Sequence, residues 1–467
     1  MSMNPPLHPY PTPCAINTIE GFWDGVQHRH ACVNCGFCNG CACPNGAKSS
    51  TLVTALRRAA ATGRCEIRPE CNVRRILLNS DGTAKSAVYV DRDFNEQEQP
   101  ARLIILSCST IDTPRLALLS GLDKHDPSGM IGQNFTTHHA PSAVVQINDG
   151  VHTWDVSRGT WNTISIDDLQ DLQAYSLATG TPLPSGIAFP RAGVVSMVGP
   201  SPGYPFGSGG PISLALAFVK PPGFYTGGGN AFAPAGGWGP GFLTGFTGYY
   251  NTQAFLLTVC EDVPRAQNKV DLDPNVKDVY GEYVARVTYA NHPNDIAVGS
   301  FVASQLPAIG EAMLNAIGAR GTVVAAQTPL TSFSVGPRFN VHQHGTMRMG
   351  ATPQRGVVNR YGQFWEVPNL FVADGSLMTT AGGYNPTHTI EALAHWVATH
   401  IAVNGASLLS RAPQLVPVAG APAQLPASTP SANGSAVAAL AAGTAMAGAA
   451  VSAARRRSSR RPEEPRA

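Results

Sequence analysis

Charge is scarce in this 467-residue chain: Asp, Glu, Lys and Arg together make up 13% of it. The small basic excess sits in the tail, where residues 406–467 hold seven Arg against two Glu, leaving 25 basic and 28 acidic groups elsewhere. So balanced a body excludes an electrostatic nucleic-acid surface. Residues 1–13 have neither a charged leader nor an apolar run, so no N-terminal signal peptide is read there. No strand-like run leads through Gly-x-Gly-x-x-Gly into a helix, the unit that holds a dinucleotide pyrophosphate at a helix N-terminus. Gly207-x-Gly209 comes nearest, but it runs into Gly210-Pro211-Ile212 and lacks the third glycine. No internal repeat is evident.

The apolar share, 43% over this length, is enough for two or three cores. Residues 1–143 carry strand-like runs at Val73–Leu78, Ser86–Asp91 and Leu103–Ser107. They are followed by a helix expected to start at Thr113-Pro114, with Thr as cap and Pro in the first turn. Residues 144–330 are read as a substrate-side domain; within them 144–265 alternate polar and apolar residues and 203–250 are crowded with Gly and Pro, a pattern that also fits solvated loops. A helix is expected from about Asn294 to Ile317, and 331–405 form a His-rich segment and a last helix whose Ile390, Leu393, Ala394, Val397 and Ile401 share one face. The tail, 406–467, is Ala/Pro-rich and reads as disordered. Within it 435–454 carry no charge and precede an Arg run, the layout of a membrane helix, although the stretch is mostly Ala. The location read from this is cytoplasmic, or membrane-associated through the tail.

Three segments near the C-terminus carry chemistry. In the first, residues 340–350, His342 is a candidate general base, because an imidazole of ordinary pKa about 6.5 can take an alcohol proton as hydride leaves the carbon. In the second, Leu370–Ala373 is a short buried strand that ends in Asp374 and Gly375, where glycine permits close backbone approach to a ligand. In the third, Asn385-Pro386-Thr387 opens a helix, with Asn as cap, and a helix N-terminus stabilises a nearby anion. Two other readings of the histidines stand: zinc held by His342 and His344 with His138 and His139, as in a hydrolase, or purely structural rings.

Of ten Cys, five fall between Cys32 and Cys43, a clustering that points to metal ligation more than to a disulfide framework. Cys32, Cys35, Cys38 and Cys43-Pro44 are spaced much like a ferredoxin run, so these four are the expected ligands of an iron–sulfur cluster. Reduced, unliganded thiols are the alternative.

Taken in order, the segments 340–350, 369–376 and 384–393 resemble the C-terminal signature of the glucose-methanol-choline oxidoreductases. Segments 104–116, 131–135 with His138, and 268–274 are similar to further parts of that family. The Cys-rich stretch 35–50 resembles its gluconate, sorbitol and glucose dehydrogenase subgroup. The resemblance covers roughly residues 30–143 and 266–405. It implies an α/β (α+β mixed) fold: a partial Rossmann-like FAD-binding region plus a substrate domain with an antiparallel sheet. It implies His342 and Asn385 as catalytic residues, and FAD contacts at Val73, Ser109, Asp374, Gly375, Asn385, Pro386 and Thr387. Where the family usually has Ala-Gly, this chain has Cys108-Ser109.

The expected activity is oxidation of a CH–OH group of an alcohol, polyol, sugar or sugar acid. Electrons would pass from FAD to a non-oxygen acceptor such as a cytochrome subunit. Because the family's Gly-rich unit lies ahead of all the matched segments, the chain is expected to start late, through a truncated reading frame, a split gene whose other product supplies that unit as a partner chain, or loss of FAD binding, and the sheet is expected to expose apolar edges. The alternative is a non-catalytic fragment or iron–sulfur electron-transfer subunit.

Overall fold

The computed structural model describes residues 7–21, 28–35, 38, 43–154, 162–198, 252–325 and 342–408. The Gly/Pro-rich stretch 203–250, Cys41 and the tail segment 435–454 lie outside them.

In chain order the first elements are β1 (Tyr10–Pro11), α1 (Ala55–Ala61), β2 (Asn72–Leu78), β3 (Ala84–Val90), β4 (Glu96–Pro100), β5 (Ile104–Leu106) and α2 (Ser109–Leu119). Next come β6 (His138–His139), β7 (Ser142–Ile147), β8 (Asn162–Ile166), α3 (Leu172–Thr179), β9 (Gly193–Val198) and β10 (Gln253–Glu261). The remainder are β11 (Lys269–Lys277), β12 (Tyr283–Thr288), α4 (Pro293–Ala316), β13 (Gly321–Ala325), β14 (Leu370–Val372) and α5 (Thr387–Leu408).

Two hydrophobic cores organise these elements. The first lies on an antiparallel sheet of order β1-β8-β9-β10-β7-β13, with β6 added beside β10. Strand β10 pairs with β7 on one side and β9 on the other, and seven consecutive residues of it are buried, which is why it reads as a continuous apolar run. Helix α4 packs on this sheet through Val298, Phe301, Val302, Leu306, Ile309 and Met313. Its start is fixed by a capping box: the His292 side chain accepts from Asn294 N–H, and Asp295 accepts from His292 N–H. By length and composition α4 could cross a membrane, but its burial against the sheet makes it a core helix.

The second core surrounds a short parallel pair, β5 and β14, in which Leu370 faces Ile104 and Val372 faces Leu106. All three residues of β14 are buried. Helix α2 and the Val397 stripe of α5 cover the pair, with Leu393 and Ile401 half-buried beside Val397. The antiparallel sheet β2-β3-β4 flanks it, and its middle strand buries Ala84, Ser86, Val88 and Val90 at the strand period of two. The fold is therefore mixed α/β with antiparallel sheets. Apolar side chains do stand out on this half: Val73 on β2 is 43% exposed and Ile105 on β5 is 44% exposed.

One element departs from the expectation. Helix α2 begins at Ser109, not at Thr113, and Pro114 lies inside it. A proline there leaves the Thr110 carbonyl without its helical donor. The Thr346 hydroxyl donates to that carbonyl at 2.6 Å and makes the early start affordable.

Candidate functional site

Three extended segments from distant parts of the chain lie side by side. Thr136 and His344 exchange backbone bonds of 3.0 and 2.9 Å, and on the other side Met347 N–H donates to Ser376 O at 2.9 Å. The His segment is thus threaded between the segment at Thr136 and the Asp-Gly segment. Gly345, at φ +101°, has room for no side chain: a Cβ would lie 2.1 Å from Asn134 O. Gly375 serves the same closeness, because a Cβ there would meet Gln343 O at 2.9 Å. The close approach read for Gly375 in the sequence is made to the chain's own His segment.

Around this thread the side chains of His138, His342, His344 and Asn385 gather. His342 is half-buried, and its Nε2 lies 3.5 Å from the Asn385 amide nitrogen, which is exposed. The His138 ring meets the His342 ring edge-on at 5.1 Å and the His344 ring at 5.3 Å between centroids. Cys260 O is 2.8 Å from His138 Nδ1, so Nδ1 carries the proton and Nε2 presents a lone pair. His344 is fully buried, and neither of its ring nitrogens has a hydrogen-bond partner; His138 Nε2 has none either. Burial holds His342 and His344 down to about 4, and His138 well below its ordinary value, so all three rings are neutral at physiological pH.

His139 points the other way, as adjacent residues on a strand must. Its Nδ1 meets Asp262 Oδ1 at 2.9 Å in a fully buried pair, and Asp262 Oδ2 accepts from Tyr289 OH at 2.7 Å and Thr137 N–H at 3.1 Å. Burial works against a charge on His139, but Cys260 and the Asp262 carboxylate outweigh it and raise the ring above its ordinary value. Asp295 completes the group; burial and the Asp262 charge push its carboxyl up to about 6. No local motif marks Asp262, Tyr289 or Asp295. The one available signal was the His138-His139 doublet on a strand, which requires one ring to leave the site.

The remaining expected residues are placed as follows. Asp374 is buried, and both its oxygens are occupied: Oδ2 by Ser109 N–H (3.1 Å) and Thr113 OH (2.6 Å), Oδ1 by Ser376 N–H (2.8 Å) and its hydroxyl. Its carboxylate fastens α2 to the end of β14. Ser109 sits at φ +83°. Helix α5 accepts its first bond at Pro386, whose carbonyl takes Ile390 N–H at 2.9 Å. Asn385 therefore precedes the cap position expected of it, and its amide is directed at His342. The first turn of α5 holds no acidic side chain, and Thr387 is exposed. Val73 lies on the outward face of β2, opposite Tyr89.

Among the described residues, the zinc reading gains no converged ligand set. The ring nitrogens of His138, His342 and His344 do not gather within 4.8 Å of one another, and His139 is committed to Asp262. Among the described residues, Cys32, Cys35, Cys38 and Cys43 form no disulfide and do not converge as the ligands of a single ion would. Burial would raise the Cys43 thiol, but the backbone N–H groups of Lys48, Ala47, Asn45 and Gly46 outweigh it and hold it below its ordinary value.

The sequence was compared with known proteins. Residues 24–140 and 264–394, together just over half the chain, match the N-terminal and C-terminal models of the GMC oxidoreductases. The chain belongs to the GMC oxidoreductase family. It is 28% identical over 407 residues to a gluconate 2-dehydrogenase flavoprotein of Pantoea cypripedii, covering 84% of this chain and 60% of that one. To a 2-methyl-1,2-propanediol dehydrogenase of Mycolicibacterium austroafricanum it is 31% identical over 360 residues, covering 75% and 56%. To a 6'''-hydroxyparomomycin C oxidase of Streptomyces lividus it is 26% identical over 409 residues, covering 85% and 63%. This GMC chain thus spans about three fifths of the length of these relatives.

For FAD, the cofactor of this family's chemistry, the residues at the reacting end fit. A neutral half-buried imidazole, an exposed amide and a helix N-terminus free of acidic side chains converge there. The sequence holds no Gly-x-Gly-x-x-Gly loop for the diphosphate.

Proposed function

We propose that this chain carries the substrate-oxidising site of an FAD-dependent dehydrogenase acting on the CH–OH group of an alcohol, polyol, sugar or sugar acid. The observation that carries the reading is the pairing of His342 Nε2 with the Asn385 amide at 3.5 Å beside the start of α5. A substrate hydroxyl entering between them donates its proton to His342, which is neutral and able to accept it. Asn385 donates a hydrogen bond to the same oxygen and fixes which face of the carbon is presented. The N-terminus of α5 favours negative charge nearby, and residues 385–387 with Gly375 are the groups that would hold the flavin end of FAD. FAD, when bound, supplies the hydride acceptor.

Two relatives named as dehydrogenases support an acceptor other than oxygen. The iron–sulfur assignment rests on the spacing of the cysteines and the resemblance of the Cys stretch, and no electron step is drawn through it.

The test uses the full-length chain supplied with FAD and a panel of polyols and sugar acids under an artificial electron acceptor. His342→Ala should lower turnover by about 100-fold or more while flavin content stays the same. Unchanged turnover would remove His342 from the chemistry.

A further inference from the structure

Just before the Cys loop, three side chains meet that the proposed reaction does not use. Gly21 and Arg29 pair as an antiparallel bridge, with backbone bonds of 3.2 and 2.9 Å. Arg29 turns inward, only 6% exposed, and donates to Gly46 O, Ala47 O and Ser49 Oγ at 3.1, 3.1 and 3.0 Å. In an extended segment alternate residues face opposite ways, so fixing Arg29 inward sets His28 and His30 together on the outer face. Their ring centroids are 5.1 Å apart. Glu20, next to the bridge, accepts Ala31 N–H on Oε1 at 3.0 Å, which holds its carboxyl below the usual range. Its Oε2 then stands 3.4 Å from His28 Nε2 and 3.2 Å from His30 Nδ1.

We propose that Glu20, His28 and His30 form a binding site for a divalent transition-metal ion of the zinc class, which clamps the segment entering the Cys loop. Two imidazole nitrogens and one carboxylate oxygen, all within 4.8 Å of one another, are a ligand set this class accepts, with an open position left for water. The buried Arg29 anchor holds the histidines in place before the ion arrives, so little order is lost on binding. The clamp is tied to the Cys loop at the next two residues: the Asn45 side-chain amide Nδ2 donates to Ala31 O at 2.8 Å, and Cys32 N–H donates to Asn17 O at 2.8 Å. The ligands are not the cysteines that the sequence pattern singles out, and the site stands whether or not the chain oxidises alcohols.

The experiment takes the full-length chain stripped by a chelator and titrated with zinc alone, followed by X-ray absorption at the zinc edge. One tightly held zinc with only nitrogen and oxygen neighbours near about 2.0 Å is expected. Glu20→Gln and His30→Ala should each weaken binding tenfold or more, while Cys32→Ser leaves it in place. Sulfur neighbours near about 2.3 Å, binding unaffected by the Glu20 and His30 substitutions, or no stoichiometric binding would overturn the site. The absorption measurement needs no variant, so a variant that misfolds does not shield the proposal.

Discussion

Ser109 illustrates how much one residue can carry. It occupies φ +83°, a conformation that is strained for any residue with a Cβ, yet its N–H holds Asp374 Oδ2 at 3.1 Å. Its hydroxyl makes no bond needed for that link. Ser109→Gly should therefore keep the Asp374 contact and raise stability by about 1 kcal/mol, read as a higher urea midpoint. A lowered midpoint would mean that the side chain matters after all. This position was visible in the sequence as a departure from the family's glycine, but its positive φ was not. His139 gives the opposite lesson. Its partner Asp262 lies 123 residues away, so no spacing rule could have joined them. The split between His138 and His139 follows from strand alternation alone.

At the scale of elements, α2 shows a tertiary contact overriding a local signal. Thr-Pro is a sound start signal for a helix, and propensity alone places the beginning there. The chain starts α2 earlier because Thr346, from a distant segment, satisfies the carbonyl that Pro114 orphans. Thr346→Val, nearly isosteric and fully buried, should cost about 1–3 kcal/mol by stranding the Thr110 carbonyl. Pro114→Ala restores a helical donor to that carbonyl, so in its background the Thr346→Val loss should shrink. Equal losses in both backgrounds, in a double-mutant cycle of unfolding, would refute the link. By contrast, α4 and the Val397 stripe of α5 were legible, because long apolar periodicity survives any context.

For the whole molecule, burial of neutral histidines makes stability depend on pH. His342 and His344 titrate near 4 in the folded chain, against about 6.5 when unfolded, so between these values the unfolded chain binds more protons. Their contribution is complete above pH 6.5 and is lost as pH falls toward 4. Asp295 acts in the other direction: folded near 6 and unfolded near 3.8, it takes up a proton on folding in that window and offsets part of the loss. His138, also held well below its ordinary value, adds to the loss, while the raised His139 ring acts with Asp295 against it. With three depressed rings on one side, the chain should lose stability between pH 7 and pH 5, seen as a lower urea midpoint. The His344→Gln variant should show a shallower loss. Equal or greater stability at pH 5 would contradict the neutral state of the rings.

Sequence alone determined the family, the mixed α/β class, a short buried strand from Leu370, the two long helices and the pairing of His342 with Asn385 as candidates for one site. Those features depend on periodicity, caps and motif order, which are written locally. Only the tertiary structure decided that Asp374 is an internal fastener, that Gly375 makes room for Gln343, and that Asp262, Tyr289 and Asp295 lie behind the histidines. It also decided that the side chains of Glu20, His28 and His30 meet just before the Cys loop. Each of these depends on which distant backbones come within hydrogen-bond reach, and that is set by packing two cores against one another, not by any spacing along the chain.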